Sequence, residues 1–94
     1  MSDFYDWDLR PLTMSQWSAM LSTHRRIEQT TLTNGKWIST IWLGLDHSFG
    51  EGPPLIFESM VFPKEGEGER LDCRRYSTLD DAKQGHKELV EKYK

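Results

Sequence analysis

The sequence predicts a single α+β domain over residues 1–94, in which an antiparallel four-stranded meander is flanked by a short N-terminal helix and an amphipathic C-terminal helix. Three observations lead to this prediction. An Asn-Gly dipeptide separates two runs rich in β-branched and polar residues, prolines bound a third apolar run, and the last segment repeats its apolar residues at helical spacing. The predicted order of elements is therefore α-β-β-β-β-α.

The first helix is predicted from its capping residues. Thr13 lies three residues before Gln16, so each side chain can bind the other's backbone amide in a capping box. Apolar residues then recur with helical spacing. We expect a short helix that begins at Met14 and ends near Ser22.

The first two strands are predicted to form a hairpin around Asn34-Gly35. Asn-Gly tolerates the two positive φ angles of a type I′ turn, whose twist matches that of the flanking strands. A two-residue loop pairs Thr33 with Lys36 and thereby fixes the register of both strands.

The third strand is predicted over Leu55–Phe62, since Pro54 precedes it and Pro63 follows it. The charged, glycine-rich segment 64–69 predicts a turn. A more polar fourth strand then follows over Arg70–Tyr76, and its polarity is typical of the edge of a sheet.

The C-terminal helix is predicted to begin after Thr78, whose side chain can cap it, with acidic residues at the positive end of the helix. One apolar stripe runs along this helix: Leu79, Ala82, His86, Leu89, Val90 and Tyr93. His86 lies within this stripe, so we interpret it as a hydrogen-bonded histidine of the core.

Charge and cysteine content narrow the function classes. The formal net charge is -3 and the pI is about 5.5, which disfavours nucleic acid and anionic membranes as partners. The single cysteine, Cys73, and the acidic first residues predict the cytoplasm, and no run reaches the roughly 20 apolar residues of a membrane span. The pairs Arg25-Arg26 and Arg74-Arg75 are interpreted as surface charges, with partner recognition as the alternative.

The central part of the chain resembles a family of small uncharacterised proteins from bacteriophages and prophages. The residues that carry the resemblance follow the pattern WLGLDHxFGxGPPLIFExMVF, from Trp42 to Phe62. The similarity extends to Pro11, Leu12 and Trp17, and to the segment from Arg75 through His86. The resemblance implies a phage-associated setting in a bacterial cytoplasm. It implies no activity, no cofactor and no catalytic residues.

The loop over residues 46–54 is longer than a hairpin needs, and loops of this kind often carry function. Asp46 and His47 could form an acid/base pair with Glu58 in a small hydrolase or transferase. The structural alternative is that both residues bind the loop backbone. A metal site built from these residues and His24 lacks any recognised ligand spacing, so no metal and no cofactor are predicted.

The predicted function is that of a non-catalytic, phage-type accessory protein that binds another protein. The predicted contact residues are Trp42, Asp46, His47, Phe49 and Glu58. Helices can cover one face of a four-stranded sheet more readily than two, which predicts an apolar face that is buried in a homodimer. We expect that face to hold Ile38, Trp42, Ile56, Met60 and Phe62. The alternative is that the helices straddle the sheet and leave no apolar patch. The acidic, aromatic N-terminal segment is interpreted as a tail packed on the sheet, with a docking or nucleic-acid-mimicking strip as the alternative.

Overall fold

A computed structural model describes residues 3–48 and 52–94, and it confirms the predicted α+β architecture. The helices are α1 (Met14–Leu21) and α2 (Leu79–Tyr93). The strands are β1 (Phe4–Tyr5), β2 (Pro11–Leu12), β3 (Arg26–Thr31), β4 (Trp37–Trp42), β5 (Phe57–Phe62) and β6 (Asp72–Tyr76). The last four strands form the predicted meander in the order β3-β4-β5-β6, with every pair antiparallel. Strands β1 and β2 form a separate two-stranded ribbon that was not predicted.

Both helices begin where their capping residues predict. The Thr13 hydroxyl accepts a hydrogen bond from the Gln16 amide at 3.2 Å, and the Gln16 side chain accepts one from the Thr13 amide at 2.9 Å. At α2, the Thr78 hydroxyl accepts a hydrogen bond from the Asp81 amide at 3.1 Å. These bonds satisfy amides that the first turn of a helix leaves without partners.

The predicted hairpin between β3 and β4 is confirmed, but the prediction of a two-residue loop is wrong. The chain closes between Leu32 and Lys36, where the Leu32 amide donates to the Lys36 carbonyl at 2.8 Å. Thr31 therefore pairs with Trp37, and the register differs by one residue from the prediction. In the three-residue loop only Gly35 has a positive φ, of 92°, whereas a type I′ turn needs two such residues. A three-residue loop that ends in a left-handed glycine also accommodates an Asn-Gly sequence, so this dipeptide does not determine the length of the loop.

Helix α2 packs against one face of the four-stranded sheet, which we call the covered face. Side chains of β4 that point to this face are wholly buried, as are their neighbours on β5. They form two clusters with α2: Trp42, Ile56, Phe57 and Ala82 in one, and Ile38, Val61 and Leu89 in the other. The approach is so close that a Cβ atom on Gly85 would overlap the Tyr76 ring. Glycine at this position therefore lets helix and sheet meet.

Helix α1 and the N-terminal ribbon contribute to the same side of the sheet. Trp17 of α1 packs against the cluster that contains Trp42, and its indole donates to the Leu43 carbonyl at 2.8 Å. The Trp42 indole in turn donates to the Tyr5 carbonyl at 3.0 Å. The aromatic N-terminal segment is thus packed onto the domain, which confirms its interpretation as an attached tail.

Within residues 3–48 and 52–94, the structure has no helix that combines the length and apolar character needed to cross a bilayer.

Candidate functional site

The second face of the sheet is not covered by either described helix, and we call it the open face. Residues of β4 that alternate with its buried side chains point to the open face. The pairing of β4 with β5 places Trp37 opposite Phe62 and Ser39 opposite Met60 on this face. The members of the open face are Arg26, Gln29, Thr31, Trp37, Ser39, Ile41, Glu58, Met60, Phe62, Cys73 and Arg75. All four of its large apolar side chains are half-buried, so they present surface to solvent.

A groove of about 270 Å³ runs over the open face. Its walls are Arg25, Arg26, Gln29, Trp37, Ser39, Ile41, Glu58, Met60 and Phe62. The rings of Trp37 and Phe62 lie 5.7 Å apart between centroids and form an aromatic pair at one end. The register places Ile41, Arg26 and Glu58 together at the other end. The groove therefore changes from aromatic to charged along the strands.

An ion pair is built into the charged end of the open face. The Arg75 Nε donates to a Glu58 carboxylate oxygen at 3.0 Å, and the Glu58 side chain is only 6% exposed. The Cys73 thiol lies 3.8 Å from the same oxygen. Burial, reinforced by the Glu58 charge, raises the pKa of this thiol, which keeps it protonated and poorly nucleophilic.

Two further arginines line the same groove. Arg25 and Arg26 are exposed, and neither forms an ion pair with any residue in the described part of the chain. Glu58 is the acidic residue among those that line the groove, and its carboxylate is already bound by Arg75. The charged end of the open face thus carries positive charge that the described chain does not balance.

The predicted site loop is held together by Asp46. Its carboxylate accepts hydrogen bonds from the amides of Ser48 at 2.8 Å and Leu55 at 2.9 Å, and from the Ser48 hydroxyl at 3.0 Å. Partial burial opposes ionisation, but these bonds outweigh it and hold the pKa of Asp46 below its ordinary value. The His47 amide donates to the Leu55 carbonyl at 2.9 Å. Both residues bind the loop backbone, as the structural alternative predicted.

The structure does not bring the predicted contact residues together on one surface. Trp42 is 0% exposed and belongs to the covered face, whereas Glu58 belongs to the open face. Asp46 and His47 lie in the loop, and Phe49 is outside the described residues. A binding role for His47 and Phe49 stays a prediction.

The uncovered apolar face also differs in membership from the expectation. Ile38, Trp42 and Ile56 are buried on the covered side, while Met60 and Phe62 do lie on the open face. Trp37 and Ile41 join them, together with the arginines. The signal that could have found these residues is the period-two alternation of β4, starting from the correct hairpin register.

His86 occupies a buried polar network between α2 and the sheet. Its Nδ1 lies 2.6 Å from the Thr40 hydroxyl and its Nε2 lies 2.8 Å from the Thr30 hydroxyl. The Thr40 hydroxyl is also 2.6 Å from that of Ser59. Burial lowers the pKa of His86, although the Glu28 charge opposes this effect. Because the imidazole is fully buried and hydrogen-bonded, its predicted role in the core is confirmed.

The described residues contain no group of three or more histidine, cysteine, aspartate or glutamate side chains that could hold a metal ion. Comparison with known proteins gave no matching family model, no similar curated protein and no similar solved structure. The geometry of the open face is therefore the main guide to function.

Proposed function

We propose that this chain is a non-catalytic binding module, an accessory protein of the phage type, and that it binds another protein through the open face. One observation carries the proposal: the fold has two layers, and the layer of helices leaves a sheet face with half-buried aromatic and aliphatic side chains around a groove. Extended apolar surface of this kind is typical of protein interfaces.

The composition of the open face supports binding in two ways. An antiparallel sheet face in contact with water usually carries polar side chains, whereas this one has Trp37, Ile41, Met60 and Phe62 on its two central strands. Tryptophan and arginine are also the residues that most often dominate binding free energy at interfaces, and the face contains both types.

The state of the acidic groups supports binding in preference to hydrolysis. The Asp46 carboxylate is engaged by the Ser48 and Leu55 amides, and the Glu58 carboxylate is engaged by Arg75. A general base needs a lone pair directed at substrate, whereas Asp46 uses both of its oxygens to order the loop and the Oε2 of Glu58 is bound by Arg75.

Site-specific photocrosslinking in bacterial cells tests this function. A benzophenone side chain at Thr31, an exposed position on the open face of β3, should give a crosslinked protein adduct. The same group at Gln84, an exposed position of α2, is the matched control and should give none. A third probe at His47 tests the loop.

An adduct from the Thr31 probe that disappears when Met60 is replaced by lysine is the expected result. Adducts from the His47 probe alone would move the contact to the loop, and equal yields from all three probes would argue against a specific surface. The homodimer predicted from the sequence stays a prediction, and an adduct of twice the chain mass would identify it.

A further inference from the structure

The open face has a direction, because its aromatic and charged ends are separated along the strands. The aromatic end is marked by Trp37 and the charged end by Ile41, four positions further along β4. Strand geometry places these ends roughly 13 Å apart, at about 3.3 Å per residue. A partner that covers the face must offer apolar side chains at one end and a group compatible with arginine at the other.

Charge complementarity defines that group. The charged end carries three guanidinium groups, those of Arg25, Arg26 and Arg75, against the one carboxylate of Glu58. This excess is local, since the whole chain has a net charge of -3. Carboxylates form short, charge-assisted hydrogen bonds with guanidinium groups, often in a bidentate geometry. An acidic partner therefore fits this end.

A second copy of the chain fits the open face less well. Two copies placed face to face would contribute the same surplus of arginine, and like charges brought together in an interface are strongly unfavourable. Single-stranded nucleic acid could stack on Trp37 and Phe62, but binding it would work against the net negative charge of the protein.

The architecture favours a helix as the form of the partner. Helix α2, of 15 residues, already packs on one face of this antiparallel sheet, and a partner helix on the other face would add a third layer. A helix that runs along the strands rises about 1.5 Å per residue, so a separation of roughly 13 Å corresponds to about nine residues. On one side of a helix, the positions closest to this spacing are about seven and about eleven residues apart, so apolar anchors and carboxylates would lie two or three turns from each other.

We propose that the open face binds an amphipathic helix of a partner protein, with its apolar residues on Trp37, Met60 and Phe62 and its carboxylates on Arg25 and Arg26. This inference rests on the proposed function and specifies the chemistry of the partner. It assigns the two exposed arginines the role of selecting an acidic segment.

A display selection tests the proposal without knowledge of the natural partner. The probe is a library of random peptides of about 18 residues, long enough for five helical turns. Peptides selected on the wild-type protein are then measured against the double variant Arg25→Ala/Arg26→Ala. The matched control is Arg10→Ala, since Arg10 is exposed and lies outside the open face. Amide NMR spectra of each variant verify that the fold is retained.

We expect the enriched peptides to combine apolar residues at helical spacing with Asp or Glu on the same side. The double variant should weaken their Kd roughly ten-fold, whereas Arg10→Ala should change it less than about two-fold. Amide shifts of the bound protein should centre on β4 and β5.

The other outcomes separate the two proposals. Peptides that lose binding in Met60→Lys but show no acidic preference would overturn the acidic helix and leave the open face as the binding surface. Peptides unaffected by Met60→Lys would place the contact elsewhere and overturn both. A stable dimer joined through the open face, or tighter binding of an oligothymidine than of any peptide, would replace the acidic helix with that occupant.

Discussion

The two faces of the sheet are built from alternate residues of the same strands, yet they treat polar groups differently. On the covered face, Thr40 and Ser59 are fully buried, and the Thr40 hydroxyl bonds to both the Ser59 hydroxyl and His86. On the open face, the arginines at the rim of the groove keep their charge in contact with water. The polar groups of the covered face are thus hydrogen-bonded within the protein, whereas the arginines of the open face remain accessible to a partner.

This difference explains why apolar content alone does not distinguish a core from an interface. Trp42 and Trp37 occupy the same strand, but one is wholly buried and the other keeps part of its ring exposed. Variants of the two tryptophans should therefore separate folding from binding.

The largest expected effect belongs to the covered face. Trp42→Ala should destabilise the domain by about 3–5 kcal/mol, because it removes a buried ring and its hydrogen bond to the Tyr5 carbonyl. Trp37→Ala, the matched variant on the open face, should cost only about 1 kcal/mol. Urea denaturation measures both. Equal losses would mean that the open face is part of the core.

A second variant tests how closely α2 approaches the sheet. Gly85→Ala should destabilise the domain by about 1–3 kcal/mol, because the new methyl group overlaps the Tyr76 ring. In an unconstrained helix the same change would stabilise by about 1 kcal/mol. Thermal unfolding determines the sign. In a Tyr76→Leu background the penalty should largely disappear, and its persistence would show that the contact has been assigned incorrectly.

The hairpin gives a smaller effect. Gly35→Val should cost about 1–2 kcal/mol, because Gly35 has a φ of 92°, which a β-branched residue tolerates poorly. Thr33→Val is the control in the same loop, since its φ is not positive. Differential scanning calorimetry compares the two midpoints. Matching midpoints would contradict the loop conformation.

The smallest expected effect is a dependence of stability on pH. Burial lowers the pKa of His86 below its ordinary value of 6.5, so as the pH falls through about 6.5 the unfolded chain gains a proton more readily than the folded one. The contribution of His86 to the free energy of unfolding is therefore fully present above pH 6.5, and it decreases as the pH falls towards the pKa of His86 in the folded state. Urea midpoints between pH 8 and 5 should fall more for the wild type than for His86→Gln. Parallel curves would exclude His86 as the source.

Much of the fold could be predicted from local sequence signals, because a cap or a strand boundary depends on only a few neighbouring residues. The Thr13 and Thr78 caps and the strand boundaries near Pro63 belong to this class. The register of β3 and β4 does not, since Asn-Gly fits both a two-residue and a three-residue loop, and a shift of one residue changes every partner. The ribbon of β1 and β2 was missed for a related reason: two-residue strands have no periodicity to detect.

The candidate site was harder to predict than the fold. Sequence reasoning correctly expected Asp46 to close its own loop as one alternative, but it grouped Trp42 with Glu58, which lie on opposite faces. The face of Glu58 depends on the pairing of β4 with β5, which places it opposite Ile41, and the long connection between these strands carries no short turn signal that fixes their register. The groove residues Arg25 and Arg26 gain significance only once they are known to line the same groove as Trp37.

The N-terminal ribbon also bears on the order in which the chain folds. Phe4 bridges to Leu45, and the Asp46 amide donates to the Asp3 carbonyl at 3.0 Å, so the first described residues bind a segment made much later during synthesis. On a ribosome, Tyr5 cannot reach the Trp42 indole until β4 has emerged from the exit tunnel. A contact between residues so far apart in the chain costs more loop-closure entropy than a contact within a hairpin. The N-terminal ribbon therefore joins the sheet only after β4 has been synthesised, whereas its contact between Phe4 and Trp17 uses residues that are already available.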